Sequence, residues 1–254
     1  MTKILVIPDV QAKHGNDFNF LTNIGKYVVE KRPDIIVCLG DFTDMESLSS
    51  YDVGKKAFEG RRYTKDIDAA VSAQVALFTP IYEYAEQQYR NKKKLYQPEC
   101  IMLLGNHEQR INKAINNDAK LEGLISINDL KYQDFWDSVV PFLETVTIDG
   151  VAFSHYFVTG LAGRPSSTAN AQLNKQHMSC ISGHQQGLQI ATANTADGRR
   201  LTSIIAGSCY EHNEDYLGPQ GNNHWRGILM LHEVNNGNFD LMPVSLNYLN
   251  KKYN

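Results

Sequence analysis

Three short apolar runs, each cut off by polar residues, constrain the fold of this chain more than any other feature. Ile4 to Pro8 ends in Asp9-Val10-Gln11, and Asp34 to Leu39 ends in Gly40-Asp41-Phe42-Thr43-Asp44. Cys100 to Leu104 ends in Gly105-Asn106-His107-Glu108. A strand that is apolar at every position, not at alternate ones, is covered on both faces, as in a sheet lying between two layers. Between the first two runs, Phe18 to Lys31 places Leu21, Ile24, Tyr27 and Val28 on one stripe of a helix that Pro33 stops. The chain therefore opens as β-α-β with carboxylates at both strand ends. Open α/β sheets carry their chemistry at such ends. Asparagine and histidine after a strand are also ordinary turn residues, so any single break leaves that reading open.

The connection from Asp44 to the third run is long. It begins with a Ser-rich part, Glu46 to Ser50, and continues through Lys55, Lys56, Arg61, Arg62 and Lys65. A helix is then predicted from Ile67 to about Lys94, with Val71, Val75, Phe78, Tyr82 and Ala85 on its stripe and Pro80 as a candidate kink. Connections of this length within a domain are often functional, and the basic residues fit either an anionic ligand or a solvated face. A polar helix follows Glu108 to about Asn117. Phe142 to Ile148 and Val151 to Ser154 read as a hairpin turned by Asp149-Gly150, whose second strand delivers His155. Pro165 to Gln176 is weakly helical, and Met178 to Ser182 leads to Gly183-His184-Gln185-Gln186. Thr192 to Arg200 holds a second Asp-Gly turn, with further strands at Leu201 to Ala206 and Ile228 to Val234. This order predicts one α/β domain of two packed sheets with outer helices.

Hydrophobic residues make up 42% of the 254, enough for a sizeable core, and the net charge of −3 argues against a globally electrostatic nucleic-acid binder. The four cysteines form no C-x-x-C pair, and Cys38 and Cys100 sit inside apolar runs, so buried thiols are expected, not disulfides. No run approaches membrane-spanning length, and Met1-Thr2-Lys3 leads straight into a strand. The expectation is a soluble, cytoplasmic protein with no membrane partner.

Gathered by position, the strand ends supply Asp9 and Gln11, Asp41 and Asp44, Asn106 and His107, His155, and His184 and Gln186. These oxygen and nitrogen donors suit divalent first-row metals, and the lack of cysteine among them disfavours structural zinc. In this order the blocks resemble the calcineurin-like metallophosphoesterases, whose pattern is D-x-H, G-D-x-x-D, G-N-H-[DE], a single His and G-H-x-H. The resemblance runs from about Ile4 to Gln186. It implies a four-layer α/β/β/α sandwich of two mixed sheets flanked by helices. Here that is a single domain over 1–254 with a helical insertion at about 45–98.

The resemblance also implies a phosphate-ester hydrolase using two divalent ions. Carried over by position, Asp41, Asn106, His155 and His184 hold one ion, and Asp9, Gln11, the shared Asp41 and Gln186 hold the other. Both histidines the family places in the latter set are glutamines here. That site is expected to be oxygen-rich, weaker, and matched to Mn²⁺ or Mg²⁺ better than to Zn²⁺, with Fe a further candidate. A rival reading fills only the intact set, and His14 is either a substitute ligand or a solvent-facing loop residue. His107 corresponds to the residue that protonates the leaving group or steadies the transition state, oriented by Asp44, which also suits an N-cap. Arg110 and Arg164 are candidate phosphate contacts, Arg110 equally a helix-surface charge. Glu108 has no assigned chemistry beyond a helix-start carboxylate.

His212, His224 and Trp225-Arg226 form either a rim able to stack a base or a loop over the core. The expected function is a phosphodiesterase or nuclease acting on nucleotides or nucleic acid. The alternatives are a phosphomonoesterase, including a protein phosphatase, and a binding module that has lost its first metal. The presence of both His107 and Asp44 argues against the last.

Overall fold

The first of the three apolar runs forms β1 (Thr2–Ile7), the second β2 (Ile35–Cys38) and the third β3 (Glu99–Leu103). They lie parallel and in register, Val6 beside Val37 and Val37 beside Ile101. The structure is a computed structural model describing residues 2–51, 53–160, 162–214 and 217–254. Between β1 and β2 lies α1 (Asn19–Lys31), closed by Arg32 in the left-handed region just before Pro33. The long connection after β2 holds two short 3-10 turns and α2 (Tyr63–Arg90). Next come α3 (Gln109–Asn117), β4 (Ser138–Val140), β5 (Val146–Ile148) and β6 (Val151–Ser154). They are followed by α4 (Ala169–Gln176), β7 (Cys180–Ser182), β8 (Leu188–Asn194) and β9 (Arg200–Ala206). The chain ends in α5 (Gly218–Gly221), β10 (Gly227–Asn235), β11 (Asn238–Ser245) and α6 (Leu246–Tyr253).

Two mixed sheets result, ordered β11-β10-β1-β2-β3-β4 and β5-β6-β7-β9-β8. The period of two along each strand divides the apolar residues between two cores. Ile4, Val6, Val37, Leu39, Ile101 and Leu103 face the second sheet, where they meet Val151, Phe153, Ile181 and Ile204. Leu5, Ile7, Ile36, Cys38, Cys100 and Met102 face the other way, onto Leu21, Ile24 and Val28 of α1, Ala70, Ala73 and Leu77 of α2, and Leu249 of α6. The second sheet is covered on its outer side by α4, whose buried Gln172 donates to the Ile204 carbonyl at 3.4 Å and accepts from Ser182 at 2.8 Å. The architecture is the four-layer sandwich, helices outside two mixed sheets.

Some local expectations shift. The buried face of α2 runs through Asp66, Ala69, Ala70, Ala73, Gln74, Leu77, Phe78 and Ile81, whereas Val75 and Tyr82 are 47% and 50% exposed. α2 approaches α1 closely at Gly25, where a Cβ would lie 2.3 Å from the Leu77 carbonyl oxygen and 3.0 Å from Pro80 Cγ. The Asp149-Gly150 turn has both residues at positive φ, 45° and 83°, the type I′ geometry, and pairs Ile148 with Val151. Its first strand begins only at Val146. Phe142 packs instead against the rings of His155 and Tyr156, at 6.0 Å and 5.6 Å. Strands β8 and β11 lie at sheet edges, where the apolar pattern is weakest. Pro243 of β11 is tolerated there because an edge strand has an unpaired side.

Candidate active site

The ends of β1, β2, β3, β6 and β7 converge. Asp9 Oδ1 accepts the His184 N–H at 3.0 Å, and Asp41 Oδ1 accepts the His107 N–H at 2.8 Å. The Asp41 carbonyl takes the N–H groups of Val10 and Gln11 at 3.1 Å and 2.8 Å. Two motif glycines allow these approaches. A Cβ on Gly105 would lie 2.1 Å from Asp41 Oδ1, and one on Gly183 would lie 2.4 Å from Asp9 Oδ1. Gln11, Asp41 and His184 all adopt left-handed backbone, with φ of 47°, 49° and 65°. Such conformations cost free energy unless surrounding bonds fix them.

Asp41, His155 and His184 offer donor atoms all within 4.8 Å of one another. Asn106 joins them: its Oδ1 lies 2.8 Å from His155 Nε2 and 2.7 Å from His184 Nδ1. His155 Nδ1 lies 2.8 Å from the Leu39 carbonyl, which can only accept, so the proton sits there. The bare Nε2 lone pair then faces the Asn106 oxygen, an arrangement a shared cation satisfies. Burial, then the neighbouring His155, pulls the His184 imidazole down to about 4, keeping it the neutral ligand form at pH 7. Burial and the Asp41 charge push Asp9 up, and Asp9 Oδ2 is buried with no protein partner. Two buried carboxylates, an orphaned oxygen and opposed lone pairs fit a divalent cation. Of the two glutamines, Gln11 is buried, and Gln186 accepts at Oε1 from the Tyr210 hydroxyl.

His107 and Asp44 stand beside this cluster. His107 Nδ1 lies 2.8 Å from Asp44 Oδ1, and its Nε2 lies 3.7 Å from Asp41 Oδ2. Burial opposes the imidazolium, but the Asp41 and Asp44 carboxylates outweigh it and raise the pKa of His107. Burial likewise opposes the Asp44 charge. The contact with His107, then Lys13 and Arg110, hold its carboxyl well below the usual range. Arg110 is no surface charge. It donates to the Asp44 carbonyl at 2.7 Å and lies 3.0 Å from His107 Nε2. A guanidinium has only donors, so it meets the Nε2 lone pair, which places the ring proton on Nδ1, 2.8 Å from Asp44 Oδ1.

The sequence matches the calcineurin-like phosphoesterase family over residues 2–219. The chain belongs to that family. Its members hydrolyse phosphate esters with divalent metal ions, so this chain is a metal-dependent phosphoesterase. No curated protein matches the sequence. One solved crystal structure aligns over 96% of this chain and 99% of its own, at 11% identity and a TM-score of 0.41.

Several residues of the phosphoesterase were not identifiable by motif. Glu108, expected as a helix-start carboxylate, is fully buried and makes no cap bond. Its Oε1 accepts from the N–H groups of Phe42 and Thr43 at 2.8 Å and 3.3 Å and from Tyr132 Oη at 2.9 Å. Its Oε2 accepts from the N–H groups of Asp41 and Gly105 at 3.0 Å and 2.8 Å. Burial and the nearby Asp41 push its carboxyl up, yet every partner is a donor, which suits the ionised form. Glu108 thus fastens the loop after β2 to the loop after β3. The fourth position of the motif was the available signal, but its partners are backbone groups, which sequence does not display.

The segment after β9 forms a further wall. Cys209 N–H donates to the Asp9 carbonyl at 2.7 Å, and His224 Nε2 lies 2.8 Å from Ser208 Oγ. Arg226 lies over the Tyr210 ring at 4.8 Å and donates to the Glu211 carbonyl at 3.0 Å, and Trp225 packs into the core between the sheets. Trp225 and Arg226 therefore close the loop. Arg164 is exposed on the connection after β6 and, among the described residues, makes no polar contact with the site. His14 is exposed beside a cavity of about 300 Å³ that Glu46, Glu59, Arg61, Arg62, Lys65 and Asp66 also line. All four cysteines are buried free thiols. Among the described residues, no helix is long and apolar enough to cross a membrane.

Proposed function

We propose that this phosphoesterase cleaves phosphodiesters of nucleotides or nucleic acid, with His107 as proton donor to the leaving oxygen. The observation that carries the reading is the state of the cations around the dyad. Arg110 lies 3.3 Å and Lys13 3.2 Å from the Asp44 carboxylate. With both already paired, a singly charged diester demands less uncompensated positive charge than a dianionic monoester.

Asp41, Asn106, His155 and His184 would hold one divalent ion, and Asp9, Gln11, Asp41 and Gln186 the second. Bound divalent ions supply positive charge for phosphate oxygens and make water acidic enough to act as a nucleophile at neutral pH. The carbonyl oxygens of Gln11 and Gln186 are harder donors than imidazole, which supports Mn²⁺ or Mg²⁺ over Zn²⁺ there. Asp44 orients the His107 ring through Nδ1, so that Nε2 is the atom presented to the leaving oxygen. Arg110 keeps Nη1 on Asp44 while an incoming phosphate draws its Nη2 off His107 Nε2, and the Asp41 and Asp44 carboxylates then favour a proton on Nε2, which faces the leaving oxygen. Arg164 is a further candidate phosphate contact from its exposed loop. Four buried free thiols suit a reducing compartment, which supports a cytoplasmic location.

Turnover of bis-p-nitrophenyl phosphate against p-nitrophenyl phosphate, with Mn²⁺ present, tests the reading. The diester should have the higher kcat/KM, and His107→Ala should lower kcat on diphenyl phosphate, whose leaving group needs a proton, by about 10²-fold or more with metal content unchanged. A preference for the monoester identifies a phosphomonoesterase. No turnover of either ester identifies a binding module.

A further inference from the structure

Asp44 uses both of its oxygens. Oδ1 lies 2.8 Å from His107 Nδ1 and 3.3 Å from Arg110 Nη1, while Oδ2 lies 3.2 Å from Lys13 Nζ. Lys13 also donates to Glu214 Oε1 at 2.5 Å, and His212 Nε2 lies 2.8 Å from that same oxygen. Glu214 is fixed in turn. Its N–H donates to Asn222 Oδ1 at 2.8 Å, and Asn222 Nδ2 donates back to its carbonyl at 2.8 Å. The His212 ring stacks on Tyr210 with centroids 4.4 Å apart. The Lys13 and Glu214 side chains are only 18% and 9% exposed, so their contact is little screened by solvent.

We propose that Lys13, anchored by Glu214, is a positioning residue that sets the rotation of the Asp44 carboxylate and through it the orientation of the His107 ring. The inference rests on His107 acting as proton donor. Arg110 and His107 share one carboxylate oxygen, so they alone leave Asp44 free to swing about that oxygen. Lys13 engages the other oxygen and stops the swing. An ammonium suits this place because three donors on a compact head reach two carboxylates from distant segments. Without Lys13, Asp44 and Glu214 keep their charges with no cation between them, and their repulsion turns Asp44 away from the bound geometry.

The test compares two diesters that differ in how much their leaving group needs a proton. Bis-p-nitrophenyl phosphate releases an acidic phenol, and diphenyl phosphate releases a basic one. With the full-length, Mn²⁺-loaded protein, Lys13→Met should lower kcat on diphenyl phosphate by about tenfold or more, within the 10²–10⁴ that a positioned acid contributes. The loss on bis-p-nitrophenyl phosphate should stay below about threefold, with KM unchanged for both, because less of the acid's contribution is needed. Lys13→Arg should restore most of the rate. Glu214→Gln leaves Lys13 and Asp44 in place and should act in the same direction, which covers a Lys13→Met protein that does not fold. In a His107→Ala background, Lys13→Met should cost nothing further, as expected of two residues acting as one unit. Equal losses on both esters, or a full-sized loss in the His107→Ala background, overturns the role of Lys13. A His107→Ala enzyme that keeps wild-type rates on both esters instead overturns His107 as the donor, whatever Lys13→Met does.

Discussion

At the scale of single residues, the site depends as much on groups that will never meet phosphate as on those that will. Glu108 takes five donors from three separate stretches of chain. Replacing one of its oxygens by an amide nitrogen sets donor against donor on at least one side. Glu108→Gln should therefore lower unfolding free energy by about 2–3 kcal/mol, read as a fall in the urea midpoint at unchanged m-value. The same variant should bind Mn²⁺ more weakly by calorimetry, since Asp41 and Asn106 would lose their common fastening. Residues with fixed spacing after a strand were legible from sequence: Asp9, Asp41, Asn106, His155 and His184 all stand at strand ends, and four of the five gather around one point. Glu108, Lys13, Tyr210 and Glu214 were not, because their partners are main-chain groups or side chains up to 201 positions away.

At the scale of elements, the apolar pattern located α1 to within one residue and the hairpin turn at its two residues, because local chemistry fixes both. It placed Val75 and Tyr82 wrongly on the buried face of α2, and it passed over β4, β8, β11 and α6. The docking of α6 on α1 is also electrostatic. Glu30 of α1 accepts from Lys252 Nζ at 2.6 Å and Tyr253 Oη at 2.7 Å, which with Lys31 pulls its carboxyl from 4.5 down to about 2. A carboxyl lowered in the folded state adds stability above its unfolded pKa and loses it as pH falls through the folded one. Wild type should thus melt above Glu30→Gln at pH 6, with the gap closing between about 4.5 and about 2. Parallel melting curves across that range would show that the contact does not hold α6.

At the scale of the whole molecule, the two sheets bring buried carboxylates from β1 and β2 face to face with histidines from β6 and β7, and metal binding and folding are therefore linked. Asp9 and Asp41 repel, and Asp9 Oδ2 has no protein partner. Saturating Mn²⁺ should raise the melting temperature and EDTA should lower it. At a hundredfold excess over Kd the stabilisation is about 2.7 kcal/mol. Asp9→Asn should shrink the Mn²⁺-induced shift while raising the melting temperature in EDTA, because it removes one of the two opposed charges.

The order of strands has a consequence for how the protein is made. β1 is synthesised long before one of its two neighbours, β10, residues 227–235, whereas β2 on its other side follows after one helix. Until some two hundred more residues are synthesised, a strand that is apolar from Ile4 to Ile7 has an open edge of unpaired N–H and C=O groups. Each nascent chain therefore passes through a long interval in which its most sheltered strand is its most adhesive one. That interval closes only when β10 arrives to cover it.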